Sequence, residues 1–217
     1  MYAFEPNDEQ KMLIETISRY ATGNLRPAAH DAEEAHALPQ ALVEKGWELG
    51  VLQASTPEAY GGFGEYSALT GVLAAEELAW GDLAGAMAVM QPGLFAIPIL
   101  LAGSEAQKQE YLPSIVEAEW RPLTAACIEP HYAFDIYDLQ TTAVLEGDAY
   151  VLNGTKVYVP FADQAEALIV YARLGDQTQG FIVPRATAGL TVGERQKLMG
   201  INALPVFTLE LENVRIP

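Results

Sequence analysis

Residues 126–136 read ACIEPHYAFDI, which puts Cys127, Glu129, His131 and Asp135 in one short stretch. A thiol, an imidazole and two carboxylates are groups that serve as nucleophiles, general acids and bases, or metal ligands. An apolar run meets Glu129-Pro130, so the stretch reads as a strand that ends in a sharp turn and presents side chains at a mouth. The rest of the sequence narrows that chemistry. Cys127 lies among apolar residues and reads as a small buried hydrophobe rather than a nucleophile. His131 has no base or metal partner recognisable along the sequence. A single cysteine excludes an internal disulfide framework and a cysteine-rich metal site. The acidic run DAEEAH (31–36), with His30 before it, reads as a solvated helix face, so no metal site is expected. What remains open is whether this turn holds a ligand.

The elements that position this turn follow from periodicity. Asn7 with Gln10 three residues later predicts a capped helix from about Asp8, with Met12, Leu13, Ile17 and Tyr20 as its apolar stripe and Pro27 as its end. A second helix is expected from Pro39 to Gly50 and a Gly-rich loop at TPEAYGGFG (56–64). Ser67 predicts the cap of a third helix, using Leu69, Val72, Leu73 and Leu78. Residues 83–102 carry no charge and are long enough to span a bilayer, but Gln91-Pro92-Gly93 interrupts them and acidic residues flank them. They read as two short buried helices, and no membrane span is expected. Ser104 with Gln107 predicts another capped helix. Trp47, Trp80 and Trp120 are expected in packing roles.

Past Trp120 the period changes to alternation. TTAVLEGDAYVLNGTKVYV (141–159) predicts a hairpin, with Asn153-Gly154 the stronger turn signal and Glu146-Gly147-Asp148 a second turn. Further strands are expected at 167–172, 180–183, 190–195 and 207–211. Helices first and strands second is an α+β arrangement: an N-terminal helical domain (1–120) followed by a compact antiparallel β domain (121–217). The net charge of −17 and the scattered basic residues exclude a nucleic-acid partner. No Rossmann or P-loop signature is present. The N-terminus has neither a basic nor an apolar leader segment, which leads to an expectation of a cytoplasmic protein.

The order of motifs resembles the acyl-CoA dehydrogenase family. TPEAYGGFG, GSEAQKQEYLPSIVEAE (103–119), ACIEPHYAFD, GDAYVLNGTKVYV, FIVP, GLTV and LENVRIP follow one another as the family's segments do, over almost the whole sequence. The resemblance implies a helical domain, a β-barrel middle domain and then a helical bundle. That bundle carries the catalytic base, and this sequence stops at Pro217, where it would begin. No catalytic residue is therefore expected in this chain. The implied cofactor is FAD, the implied substrate an acyl-CoA or related acyl thioester, and the implied assembly a homo- or hetero-oligomer.

The same resemblance places Cys127, Ile128 and Phe134 on the first flavin-facing turn, and Tyr158, Val159 and Pro160 on the second. Ile128 stands where the family has a Thr hydroxyl, and Ala133-Phe134 where it has Gly-Ser. Tyr158-Val159-Pro160 replaces Trp-Ile-Thr, and Asn202 and Ala203 replace an Arg and a Ser or Thr. Scaffold motifs match while ligand-facing ones differ. Two functions follow: an FAD-dependent dehydrogenase seen without its base-bearing domain, or a non-catalytic, flavin-free partner or structural subunit.

Overall fold

The computed structural model describes residues 5–116 and 119–217, and the motif at 103–119 lies partly outside them. The chain divides into two compact units. One takes the residues up to Met90 with Ile99–Trp120 and Leu198–Leu204, and the other takes Gln91–Pro98, Arg121–Lys197 and Pro205–Pro217.

The helical unit opens with α1 (Asp8–Tyr20). Asn7 Oδ1 accepts the Gln10 N–H at 2.8 Å while Gln10 Oε1 accepts the Asn7 N–H at 3.0 Å, so two otherwise orphaned donors are met. Ile17 and Tyr20 carry its buried stripe, but Met12 stands 70% exposed, against expectation. Pro27 does not end the helical path either. A π-helical turn at Ala21–Leu25 leads directly into α2 (Arg26–Ala35), with Pro27 in its first turn. The wider π turn bonds the Arg26 N–H to the Ala21 carbonyl, and a first-turn proline needs no N–H. α3 (Gln40–Trp47) and the short α4 (Val51–Ala54) are separated at Gly50, whose φ of 71° suits glycine.

α5 (Ala68–Gly81) begins on the Ser67 cap as expected. Its buried face is Ala74, Leu78 and Gly81, whereas Leu69 and Val72 point to solvent. Residues 83–102 form α6 (Leu83–Met90) and α7 (Gly93–Ala102), broken at the expected place. Among the described residues no single helix is long and apolar enough to cross a membrane. α8 (Glu105–Val116) carries the Ser104–Gln107 capping box. Trp47 and Trp120 pack in the core, and Trp120 Nε1 donates to the Ala88 carbonyl at 2.9 Å. Trp80 does not: it is exposed, with the Arg26 guanidinium 4.4 Å above its ring.

The other unit is a seven-stranded curled sheet. Its strands are β1 (Thr124–Ala126), β2 (Thr142–Glu146), β3 (Ala149–Pro160), β4 (Ala167–Leu174), β5 (Gln177–Pro184), β6 (Leu190–Arg195) and β7 (Val206–Ile216). The order is β1-β4-β2-β3-β7-β6, with β5 on β4. Both β1 and β2 run parallel to β4, so the sheet is mixed rather than purely antiparallel. The β2–β3 turn is at Gly147, with φ 68°, and not at Asn153-Gly154. β3 runs straight through Asn153-Gly154, where its register against β7 slips. A side chain at Gly154 would sit 2.6 Å from Thr141 Oγ1, so this glycine serves close approach and not a hairpin. Leu152, Val159, Leu168, Val170 and Leu209 fill the core.

Candidate functional site

β3 grips the turn that follows β1 at three successive residues. Lys156 Nζ donates to the Cys127 carbonyl at 3.0 Å, the Val157 N–H donates to the Ile128 carbonyl at 2.9 Å, and Lys156 Nζ donates to Glu129 Oε1 at 2.8 Å. Lys156 is completely buried, with 0% side-chain exposure, and Glu129 nearly so at 1%. A buried charge requires this kind of pairing, because desolvation is otherwise too costly. The Glu129 carboxylate also accepts the Gln140 N–H at 2.7 Å and the Thr141 N–H at 2.8 Å. It thereby ties the start of the turn to the segment entering β2.

Burial would push the Glu129 carboxyl up, but the Lys156 ammonium and the backbone donors outweigh it and hold the pKa at about 2. Burial holds Lys156 below its ordinary value, against the pull of Glu129. Cys127 is half-buried rather than fully buried, and burial pushes its thiol up from the ordinary value. His131 Nε2 lies 3.2 Å from Glu129 Oε2. This corrects the reading of His131 as a residue without a partner. Asp135 Oδ1 accepts the Tyr137 N–H at 2.9 Å, so Asp135 shapes the turn.

Immediately after Lys156 the register against β7 slips again, between Lys156 and Val159. Tyr158 sits in this bulge with φ 55°, a conformation uncommon for a bulky residue and typical of functional rims. Gln196 Oε1 accepts the Tyr158 N–H at 3.1 Å, and Gln196 Nε2 donates to Thr208 Oγ1 at 3.1 Å. Tyr158 is 51% exposed and Ile128 42% exposed. Val159 and Pro160 turn into the buried side. The Pro160 carbonyl accepts from Gln91 Nε2 at 3.2 Å; Gln91 is 1% exposed and its Oε1 finds no partner.

The structure thus brings Cys127 and Ile128 beside the segment that carries Tyr158, Val159 and Pro160. Phe134 lies half-buried farther along the turn, its ring 6.2 Å from that of His131. Sequence reasoning missed Lys156, Gln196 and Gln91. Lys156 left one signal, a lone cation in an otherwise apolar and aromatic run, TKVYV. Among the described residues no cluster of His, Cys, Asp and Glu is suited to a metal.

Residues 7–119 match the family model for the acyl-CoA dehydrogenase N-terminal domain, and residues 124–214 match that for the middle domain. The chain is 34% identical over 217 residues to human mitochondrial short-chain specific acyl-CoA dehydrogenase, covering 97% of this chain and 52% of that protein. It is 33% identical over 215 residues to a probable acyl-CoA dehydrogenase of Bacillus subtilis, covering 97% of this chain and 36% of the relative. Among solved structures, a glutaryl-CoA dehydrogenase from Mycobacterium smegmatis in complex with FADH2 superposes with a TM-score of 0.85 at 29% identity, over 98% of this chain and 54% of that one. The chain therefore spans about half or less of the length of these proteins.

Proposed function

The chain belongs to the acyl-CoA dehydrogenase family, and from that premise we propose that it forms the N-terminal and middle domains, 1–120 and 121–217, of an FAD-dependent oxidoreductase acting on an acyl thioester. The observation that carries this reading is the Val157 N–H to Ile128 carbonyl bond, which fixes two exposed apolar side chains, Ile128 and Tyr158, on adjoining backbone. That pair suits one face of a planar ring. FAD, when bound, accepts the hydride that leaves the acyl chain. Cys127, Ile128 and Phe134 would flank it from one segment, and Tyr158, Val159 and Pro160 from the other. No hydroxyl stands at Ile128 or Pro160, and Pro160 has no N–H, so of these two only the main chain of Ile128 can donate toward the ring. Cys127 and Val159 contribute backbone in this reading, since burial pushes the thiol up and the valine is in the core.

A second reading has its own observation. Pro160 has no N–H, and its carbonyl is already taken by Gln91. Leu69, Val72, Leu83 and Met87 are exposed on α5 and α6, as expected of a surface that associates. Both features favour a flavin-free subunit that pairs with a dehydrogenase-like partner. The absorption spectrum of the purified chain, before and after addition of FAD, separates the two. The first reading expects a protein-shifted flavin band that co-elutes with the chain. A colourless chain that leaves the FAD spectrum unchanged sinks it and favours the second.

A further inference from the structure

We infer that Lys156 is the positioning residue of this site: it sets the spacing between the Ile128 and Tyr158 segments, and so the width and orientation of the rim that receives the ring. The inference rests on the functional reading above. Lys156 bonds both to the backbone before Ile128, through the Cys127 carbonyl, and to the side chain after it, through Glu129. It stands two residues ahead of Tyr158 on the same strand, and the residue between them, Val157, bonds the Ile128 carbonyl directly. The ammonium and the bulge are adjacent, so a shift at Cys127 or Glu129 is passed to Tyr158 across a single residue. The ammonium is closed off from solvent, so water cannot replace its bonds when it is removed. A backbone segment held by a buried charge-assisted bond is more precisely placed than one held by neutral, solvated bonds.

A purely structural ion pair would have a different signature from a positioning one. Lys156→Met removes the ammonium at similar length and leaves Glu129 charged and buried. The double variant K156M/E129Q removes both charges, which restores electrostatic balance without restoring the hold on the Cys127 carbonyl. Three quantities are measured on the whole chain: the thermal midpoint, backbone hydrogen exchange across residues 126–131 and 156–160, and FAD affinity by fluorescence quenching. K156M is expected to lower the midpoint, accelerate exchange in those two segments first, and weaken FAD by about tenfold or more, the loss of one charge-assisted contact. The double variant is expected to recover most of the midpoint but neither the exchange protection nor the affinity. A double variant with wild-type exchange and wild-type FAD affinity overturns the inference and leaves the pair as a stabilising contact. Should the wild-type chain bind no FAD, the functional reading fails, and exchange alone decides the positioning role: local loss in K156M/E129Q supports it, and wild-type protection overturns it.

Discussion

Two glutamates do the same job in the two units, and they differ in burial. Glu129, in the sheet unit, accepts two backbone N–H groups and the Lys156 ammonium, with a side-chain exposure of 1%. Glu33, on α2 in the helical unit, accepts the Asn202 amide at 2.7 Å and the Ala203 N–H at 3.2 Å, from a partly exposed position. Each carboxylate anchors a loop that begins or ends a strand. The difference is the medium. Glu33 itself is partly exposed, so water competes for its carboxylate and its bonds are worth little net. Around Glu129 no water competes, so an intact set is compatible with stability and a broken one is costly. The sheet unit thus holds its turn rigidly, whereas the helical unit holds its loop with a bond that solvent can replace.

The largest expected effect comes from breaking the buried set. Glu129→Ala leaves the Lys156 ammonium buried with only the Cys127 carbonyl, and leaves the Gln140 and Thr141 N–H groups without their acceptor. A loss of about 3–5 kcal/mol is expected, read as a lower urea midpoint at unchanged slope. A loss under about 1 kcal/mol would erase the distinction between the two carboxylates.

Acid provides the next test without a substitution. The folded Glu129 carboxyl is held at about 2 against an ordinary value of 4.5. A depressed folded pKa means that the folded state prefers the carboxylate. Its contribution is complete above about 4.5, falls as the pH drops toward 2, and is lost below that. Part of it is offset by the burial that lowers Lys156. The urea midpoint should therefore fall steeply between about pH 4.5 and 2 in the wild type and more shallowly in Glu129→Gln. Parallel slopes would assign acid sensitivity to other carboxylates.

The sequence made one class of feature legible and concealed another. The capping boxes Asn7–Gln10 and Ser104–Gln107 are closed by groups three residues apart, so local spacing sufficed to find them. The break at Gln91-Pro92-Gly93 and the strand Leu190–Arg195 were local for the same reason. Asn153-Gly154 misled, because that glycine answers to Thr141, which approaches from an earlier segment. Pro27 misled because a π turn relieves the restriction that would have ended a helix. The parallel pairing of β1 and β2 with β4 joins segments tens of residues apart, and no alternation pattern encodes direction. At the site, Cys127, Ile128 and Tyr158 were named through a resemblance, but Lys156, which holds them, is 29 residues from the carbonyl it grips. Its burial depends on Glu129, and a pair of that separation has no periodic signature.

The smallest effect is expected at the solvated anchor. The Asn202 amide, against a smaller opposing effect of desolvation, lowers the Glu33 pKa, and the Ala203 N–H adds to it. Asn202→Ala removes the side-chain donor but leaves the Ala203 bond, and water can take the vacated place on the carboxylate. Global stability should change by less than about 1 kcal/mol, with exchange at the Ala203 amide accelerated and the sheet unaffected. The segment 198–204 carries Ile201 at φ 52° and a fully exposed Met199, while Ala203 and Leu204 are buried and keep its end packed whether or not the Asn202 bond is made. A local opening without a global loss is what a solvated anchor predicts. A loss as large as that of Glu129→Ala would show that Glu33 is as sealed in solution as Glu129, and burial would then no longer distinguish the two anchors.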